Sequence, residues 1–444
     1  MSDRRLTFTD QFALWGSMAV TLTIPAAAAF VINPLGDKPI GFAAAAVAIV
    51  AGTLVGSVLL GAIALIGRRA GRPTMAMFGG ILGQRTSWIP TVLNILQCIG
   101  WAAVEVLVIT DGTTAITSPS LRPLWAVVGG VLMLAMAIWP VSAIKAVRKY
   151  LVALVILATL VLVVGLLQHG IHATDTGSWH GFWPAFDIVI SLPVSWAPLV
   201  ADYSRHSRDE RGAFLGTAAG FATGGIVYFF MGLLAFLTIT GADATSTVTQ
   251  FIPALIAVKL GMIALVILII DELDKGFANI HSTAVSIGNL SGRLPFVPVA
   301  VGVAAIATAA ALLTDLTSYE SFLYVIGAVF VPLTGVAVTW VFGVHRGRYD
   351  ADAATSWLLV PWLAGLSAYQ LLAPGYAPGW SDAWNAARSA LGITTVTWSA
   401  SIVSLIVAVA GTWIVAAVLG AGRDGRRGRG GRRGAVRDAV AARA

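Results

Sequence analysis

The chain has 444 residues, of which 57% are hydrophobic and 11% charged, and its mean hydropathy is +0.85. Soluble domains carry about a quarter charged residues, so these figures exclude an ordinary soluble protein and define a polytopic membrane chain. The formal net charge of +7 resides mostly in a basic tail, and the single cysteine, Cys98, excludes an intramolecular disulfide.

Apolar stretches of about 17 residues or more mark twelve candidate spans: 11–32, 41–67, 88–110, 123–139, 149–168, 186–203, 212–240, 256–288, 296–313, 319–343, 356–373 and 396–420. With a cytoplasmic N-terminal segment at 1–10, fifteen Lys and Arg fall in inside loops, from Arg4 and Arg5 to Arg346 and Arg348. Only Lys38, Arg122 and Arg388 fall outside. That asymmetry predicts a plasma-membrane protein with both termini cytoplasmic. The apolar run Phe12 to Ile32 is too long for a cleaved signal peptide.

The first span contains Thr21, Ile24 and Pro25. Pro25 lacks the N–H that would bond the Thr21 carbonyl, which predicts a broken helix with that carbonyl freed. In the third span, Gln97, Trp101 and Glu105 recur one turn apart on one face. An indole with an amide and a carboxylate alongside suits a flat, hydrogen-bonding heterocycle. The same residues are also read as ordinary packing, with Trp101 an interfacial anchor and Glu105 near the outer surface.

The sixth span contains Ser195 and Trp196 between Pro193 and Pro198. These prolines predict a second break, with the carbonyls of Val189 and Val194 freed. Unwound backbone at membrane depth lines a cavity or is buried in protein. Breaks in spans one and six are five spans apart, which predicts two inverted five-helix halves, 11–168 and 186–343, with the site between them. The remaining spans, 356–420, lie outside the repeat. After span six, Asp202 and Arg205 read either as an ion pair closing a cytoplasmic gate or as the plain positive-inside pattern.

In the eighth span, Asp271, Asp274, Lys275, Asn279, Ser282 and Ser286 fall within about 140° of arc on a helical wheel. Charge at bilayer depth is costly unless it faces a partner or a water-filled cavity. The stripe therefore predicts a path or site for something polar, against the alternative of a span that simply ends at Ile270. The tail, 421–444, with Arg423, Arg426, Arg427 and Arg429, predicts contact with anionic lipid head groups rather than nucleic acid.

These residues resemble the nucleobase:cation symporter-1 family, also called the purine-cytosine permeases. The resemblance rests on Gly100-Trp101, Ala201-Asp202-Tyr203-Ser204-Arg205, the segment from Arg72 to Trp88 and the span-eight segment ending His281-Ser282. It extends over about residues 8 to 420. Ser195 to Tyr203 and Asp271 to Ala278 look most like the branch assigned to hydroxymethylpyrimidine. The family implies an all-α, LeuT-like fold of two inverted five-helix repeats plus two helices, working by alternating access. It also implies a substrate stacked between aromatics on spans three and six. Trp101 matches the first; the second position is Pro193, and Trp196 is the candidate replacement.

The resemblance further implies a Na+ site of carbonyls near Thr21 and Ile24 and hydroxyls on span eight. Asp274 and Lys275 stand where those hydroxyls belong. Two substitutes follow: a proton on Asp271 or Asp274, or the Lys275 ammonium in place of the ion. The expected partners are a heterocyclic substrate, H+ or Na+, and the bilayer, with no cofactor and a monomeric state. The leading function is import of a pyrimidine-type ring, hydroxymethylpyrimidine or cytosine-like; the alternative is a purine, allantoin or hydantoin permease. A membrane-embedded lipid-modifying enzyme would need acidic Mg2+ ligands or basic diphosphate clusters. Lys275 spoils the first and no second acidic cluster exists.

Overall fold

The computed structural model describes residues 6–36, 39–138, 141–168, 177–237, 248–291, 294–393 and 398–421. The first five residues and the basic tail, with the roles assigned to them, lie outside the described residues. Within these the chain is helical and contains no β-strand beyond an isolated bridge between Leu6 and Ser207.

Helix α1 (Phe8–Met18) opens with a capping box, in which Thr7 and Asp10 satisfy each other's backbone N–H groups. Helix α2 (Thr23–Ile32) leaves it at 62°, so the first span is broken as expected. Then follow α3 (Phe42–Ala70), the short α4 (Thr74–Leu82), α5 (Trp88–Ile116), α6 (Arg122–Ile138) and α7 (Val141–Gln168). The sixth span is α8 (Phe182–Ser195) and α9 (Val200–Ser204), and the seventh is α10 (Thr217–Ala235), entered through a π-helical turn. A short α11 (Phe251–Ile256) precedes α12 (Gly261–Ser291). Leu260, at φ 63°, breaks the chain between them, so span eight starts later than the apolar run that begins at 256. The remainder is α13 (Phe296–Leu313), α14 (Ser318–Val338), α15 (Leu359–Leu372), α16 (Trp380–Ala390) and α17 (Ala400–Val418).

Among the described residues, eight helices are long and apolar enough to cross a membrane, or nine if the bent pair α1–α2 is one span. The other three expected spans fall short of that standard for physical reasons. Helices α8 and α15 have 14 residues each, and α12 carries the charged stripe. Helix α16 lies where only a loop was expected, and its Trp380 and Trp384 rings meet edge-on at 5.9 Å.

Packing divides the helices into groups. Helices α1, α2, α3, α8, α9 and α10 pack on one another; α5, α6, α12 and α13 form a second group, with α7 against α12. Helices α14, α15 and α17 pack together and join the first group through α14 on α8. Small residues set these approaches. A Cβ on Gly232 of α10 would lie 2.2 Å from the Pro25 carbonyl oxygen of α2, so only glycine allows this contact.

Candidate functional site

The break in span one falls at residues 19–22, ahead of Pro25 rather than at it. Pro25 occupies the first turn of α2, where a missing N–H costs nothing. The Thr21 carbonyl is consequently not freed; it accepts the Ile24 N–H at 3.3 Å. What the break exposes is the head of α2, with its unpaired N–H donors.

Glu272 of α12 answers those donors. Leu22 N–H donates to Glu272 Oε1, and the Thr21 hydroxyl donates to Oε2 at 2.8 Å. The Thr21 hydroxyl also lies 2.9 Å from Thr23 Oγ1. A carboxylate at the positive end of a half-helix is favoured by the helix dipole. A Na+ ion near Thr21 and Ile24 would need converging oxygen lone pairs, whereas this break turns O–H and N–H donors inward. The residues present suit a carboxylate better than a bare cation.

The stripe is buried, as a functional reading requires: Asp271, Asp274, Lys275 and Asn279 are all less than a tenth exposed. Lys275 does not reach the break. It is held by its own helix, donating to the Asp271 carboxylate one turn earlier and to the Asp271 carbonyl at 3.3 Å. The group that does reach it, Glu272, stands about 20° beyond the edge of the stripe and was not singled out by periodicity. Glu105 of α5 interacts directly with Glu272, and its Oε2 has no hydrogen-bond partner. Four carboxyls and one ammonium are thus sequestered in the middle of the molecule.

One turn to either side of Trp101 stand Glu105 and Gln97, all three buried. Gln97 Nε2 donates to Asn94 Oδ1 at 3.0 Å and to the Ser195 carbonyl at 2.9 Å, leaving Gln97 Oε1 without a partner. Trp101 packs edge-on against Tyr319 and Phe322 of α14, at 5.8 and 5.3 Å. Gly100 permits this, because a Cβ there would lie 2.5 Å from the Phe322 ring.

Span six is interrupted at Trp196–Leu199, with α8 running through Pro193 to Ser195. The Val194 carbonyl accepts the Ala197 N–H at 2.9 Å and is not freed. The Ser195 hydroxyl donates back to the Leu192 carbonyl at 2.6 Å, so Ser195 contributes through its carbonyl instead. Trp196 meets Trp15 of α1 edge-on at 6.0 Å, and Trp15 also meets Tyr203 at 5.9 Å.

A cavity of about 600 Å³ opens on the side expected to be cytoplasmic. Gln84, Trp88 and Asn94 line it from one side, Asp202, Tyr203 and Arg205 from another, and His281, Ser282 and Ser286 of α12 from a third. Asp202 and Arg205 do not pair. Asp202 Oδ1 accepts the Thr74 N–H at 2.8 Å and the Thr74 hydroxyl at 3.3 Å, holding the start of α4. Arg205 Nε donates to His206 Nε2 at 3.0 Å. Among the described residues, Arg69 and Glu210 form an ion pair on this face, at 2.7 Å. At the opposite end a smaller cavity, about 330 Å³, lies between Asp187, Tyr324, Tyr376 and Arg388.

A family model described as a permease for cytosine/purines, uracil, thiamine and allantoin matches residues 1–357. Cytosine permeases of Escherichia coli, from O157:H7 and from strain K12, are 25% identical over 337 residues, covering 73% of this chain and 77% of theirs. Among solved structures, the nucleobase-cation-symport-1 family transporter Mhp1, closed with bromovinylhydantoin bound, gives a TM-score of 0.69 at 16% identity, covering 94% of both chains. Its inward-facing conformation gives 0.69 at 16% identity over 94% of this chain and 92% of that one. A Na+-coupled sialic acid symporter gives 0.55 at 12% identity over 94% and 93%. At these identities the structures speak to the fold alone. The apolar spans and the family model over residues 1–357 together define a multi-pass membrane transport protein. The chain belongs to the family of permeases for cytosine/purines, uracil, thiamine and allantoin, the nucleobase:cation symporter-1 family.

Proposed function

We propose that this permease imports a flat pyrimidine-type heterocycle bearing an exocyclic amine, as cytosine and hydroxymethylpyrimidine do, by alternating access driven by a cation gradient. The observation that carries this reading is the pair of unpartnered buried acceptors, Gln97 Oε1 and Glu105 Oε2, on either side of the Trp101 indole. A buried acceptor left unsatisfied costs about 1–3 kcal/mol. A ring that stacks on the indole and turns N–H donors to both edges removes that cost and gains the stacking contact. Asn279, buried on α12, adds an amide to the same centre. The cytosine permeases among the relatives support the same substrate class.

The centre lies at the interface of the first half, 11–168, and the second, 186–343, and 356–420 braces the outside. The coupling path runs along α12 past Asp271, Asp274 and Lys275 to Ser282 at the inner cavity, and the break at Thr21 and Ile24 joins it through the Glu272 carboxylate that its donors hold. The molecule works as a monomer in the plasma membrane with both termini cytoplasmic and its basic tail on anionic lipid. Uptake of labelled cytosine in cells lacking their own permeases, with unlabelled competitors, tests the substrate. Competition by aminopyrimidines is expected; competition only by purines or hydantoins would contradict the amine-based reading.

A further inference from the structure

We propose that the smaller cavity, at the end opposite the inner one, is a second binding site, separate from the Trp101 centre, for a small planar aromatic ring that carries a carboxylate.

The cavity, about 330 Å³, opens along a seam between two packing groups. Pro34 and Leu35, which follow α2, and Pro184 of α8 form one wall. Tyr324 of α14, Tyr376 after α15, Arg388 of α16 and Trp398 ahead of α17 form the other. Seams between packed bodies are where small-molecule sites commonly lie. This volume falls at the lower end of their range, enough for one ring and a substituent. None of Gln97, Trp101 and Glu105 lines it.

The turn between α15 and α16 sets the rings in place. Gly375 takes φ 68°, in the left-handed region, and a Cβ there would come within 3.1 Å of Tyr324 Cβ. That turn lays Tyr376 edge-on to Tyr324, with ring centroids 6.2 Å apart. The Ser381 hydroxyl donates to the Pro374 carbonyl at 2.8 Å, which ties the start of α16 to the same turn. Tyr376 and Trp398 still keep more than half of their surface open. A flat ring entering the cavity has aromatic faces to stack on.

Two charged residues line the cavity, and they do not pair. The Asp187 carboxylate is already met by three donors at the head of α17, the Ser399 hydroxyl and the N–H groups of Ala400 and Ser401. Glu320, one turn before Tyr324 on α14, does not line the cavity. Arg388 is left without an anion. Its Nη1 reaches only Asn385 of its own helix, at 3.5 Å, its Nε is out of water with no hydrogen-bond partner, and it forms no ion pair among the described residues. An N–H out of water costs free energy until an acceptor reaches it. The guanidinium is a planar fork of N–H donors, and a carboxylate is the acceptor that meets two of them at once. An uncharged carbonyl would leave the positive charge unanswered. An aromatic carboxylate answers the charge and the ring faces together.

Equilibrium binding of labelled benzoate to the full-length protein in lipid, at neutral pH with saturating unlabelled cytosine present, reads this site apart from the Trp101 centre. Saturable binding is expected. Benzamide, the same ring without the charge, and acetate, the charge without the ring, should each compete at least about tenfold more weakly. Arg388→Gln should weaken benzoate binding by at least about tenfold, and Tyr376→Ala should weaken it as well. Both side chains are partly exposed, so the thermal midpoint of the unliganded protein should stay unchanged. If either variant fails to fold, the three probes on the wild type still decide. No saturable benzoate binding, benzamide or acetate competing as well as benzoate, or unchanged affinity in Arg388→Gln would overturn the proposal. Displacement of benzoate by cytosine would also overturn it, since the ligand would then belong to the Trp101 centre.

Discussion

At the head of α2, the Leu22 N–H would be buried without a partner, and the Thr21 hydroxyl left with Thr23 alone, if α12 did not send Glu272 across to them. One turn further along α12, Lys275 and Asp271 illustrate the opposite case, a pair satisfied within one helix. Removing one partner of a buried pair leaves an uncompensated charge, which costs about 3–5 kcal/mol. Lys275→Ala is therefore expected to lower the thermal midpoint strongly, while Asp271→Asn with Lys275→Met restores most of it; equal midpoints for both would show that the pair is not sequestered. The exposed pair Arg69–Glu210 behaves differently. Arg69 holds the Glu210 carboxyl below its usual range, so its stabilisation is present above the unfolded value and is lost only as pH falls through the lower folded one. Being largely exposed, the pair is worth less than about 1 kcal/mol. A change in transport between about pH 5 and 8 does not come from it.

Among the elements, α8 and α17 are joined by a cap of the same kind as that of Glu272 on the head of α2. Asp187 of α8 accepts the Ser399 hydroxyl, the Ala400 N–H at 2.8 Å and the Ser401 N–H at 3.0 Å. Asp187→Ala is expected to cost about 1–2 kcal/mol, as loss of an N-terminal cap does. Hydrogen exchange should show it as faster exchange confined to the first turn of α17; uniform change across the protein would contradict the local role. Neither carboxylate was legible in the sequence, because each partner lies more than 200 residues away and no periodicity links such positions. Most of the spans were legible, since nine of the twelve carry an apolar run long enough to cross a membrane among the described residues. The breaks were legible as breaks, but their sites were not. Pro25 starts a helix as readily as it interrupts one, and Pro193 remains inside α8. Trp101 and its neighbours were found because they recur at helical spacing, whereas the second aromatic depended on how the backbone turns after Ser195. Helix α16 was missed because its Trp380 and Trp384 stand in a segment too short and polar to read as a span.

For the whole molecule, the wide cavity lies on one side and the smaller one on the other, which is the shape of a state open to one face, the one expected to be cytoplasmic. Ser286→Cys, which lines the wide cavity, should react with a membrane-impermeant maleimide from the cytoplasmic side. Saturating substrate or an imposed outward-facing state should slow that reaction; labelling from the outer side would reverse the assigned topology. The proposed function sets recognition of an aminopyrimidine on the buried carboxyl centre beside Trp101. The most direct test is equilibrium binding of labelled cytosine and hydroxymethylpyrimidine to purified wild type and Glu105→Gln in lipid. The account predicts binding by the wild type and at least about tenfold weaker affinity in the variant, the equivalent of about 1.4 kcal/mol. Unchanged affinity for an aminopyrimidine in Glu105→Gln would contradict it.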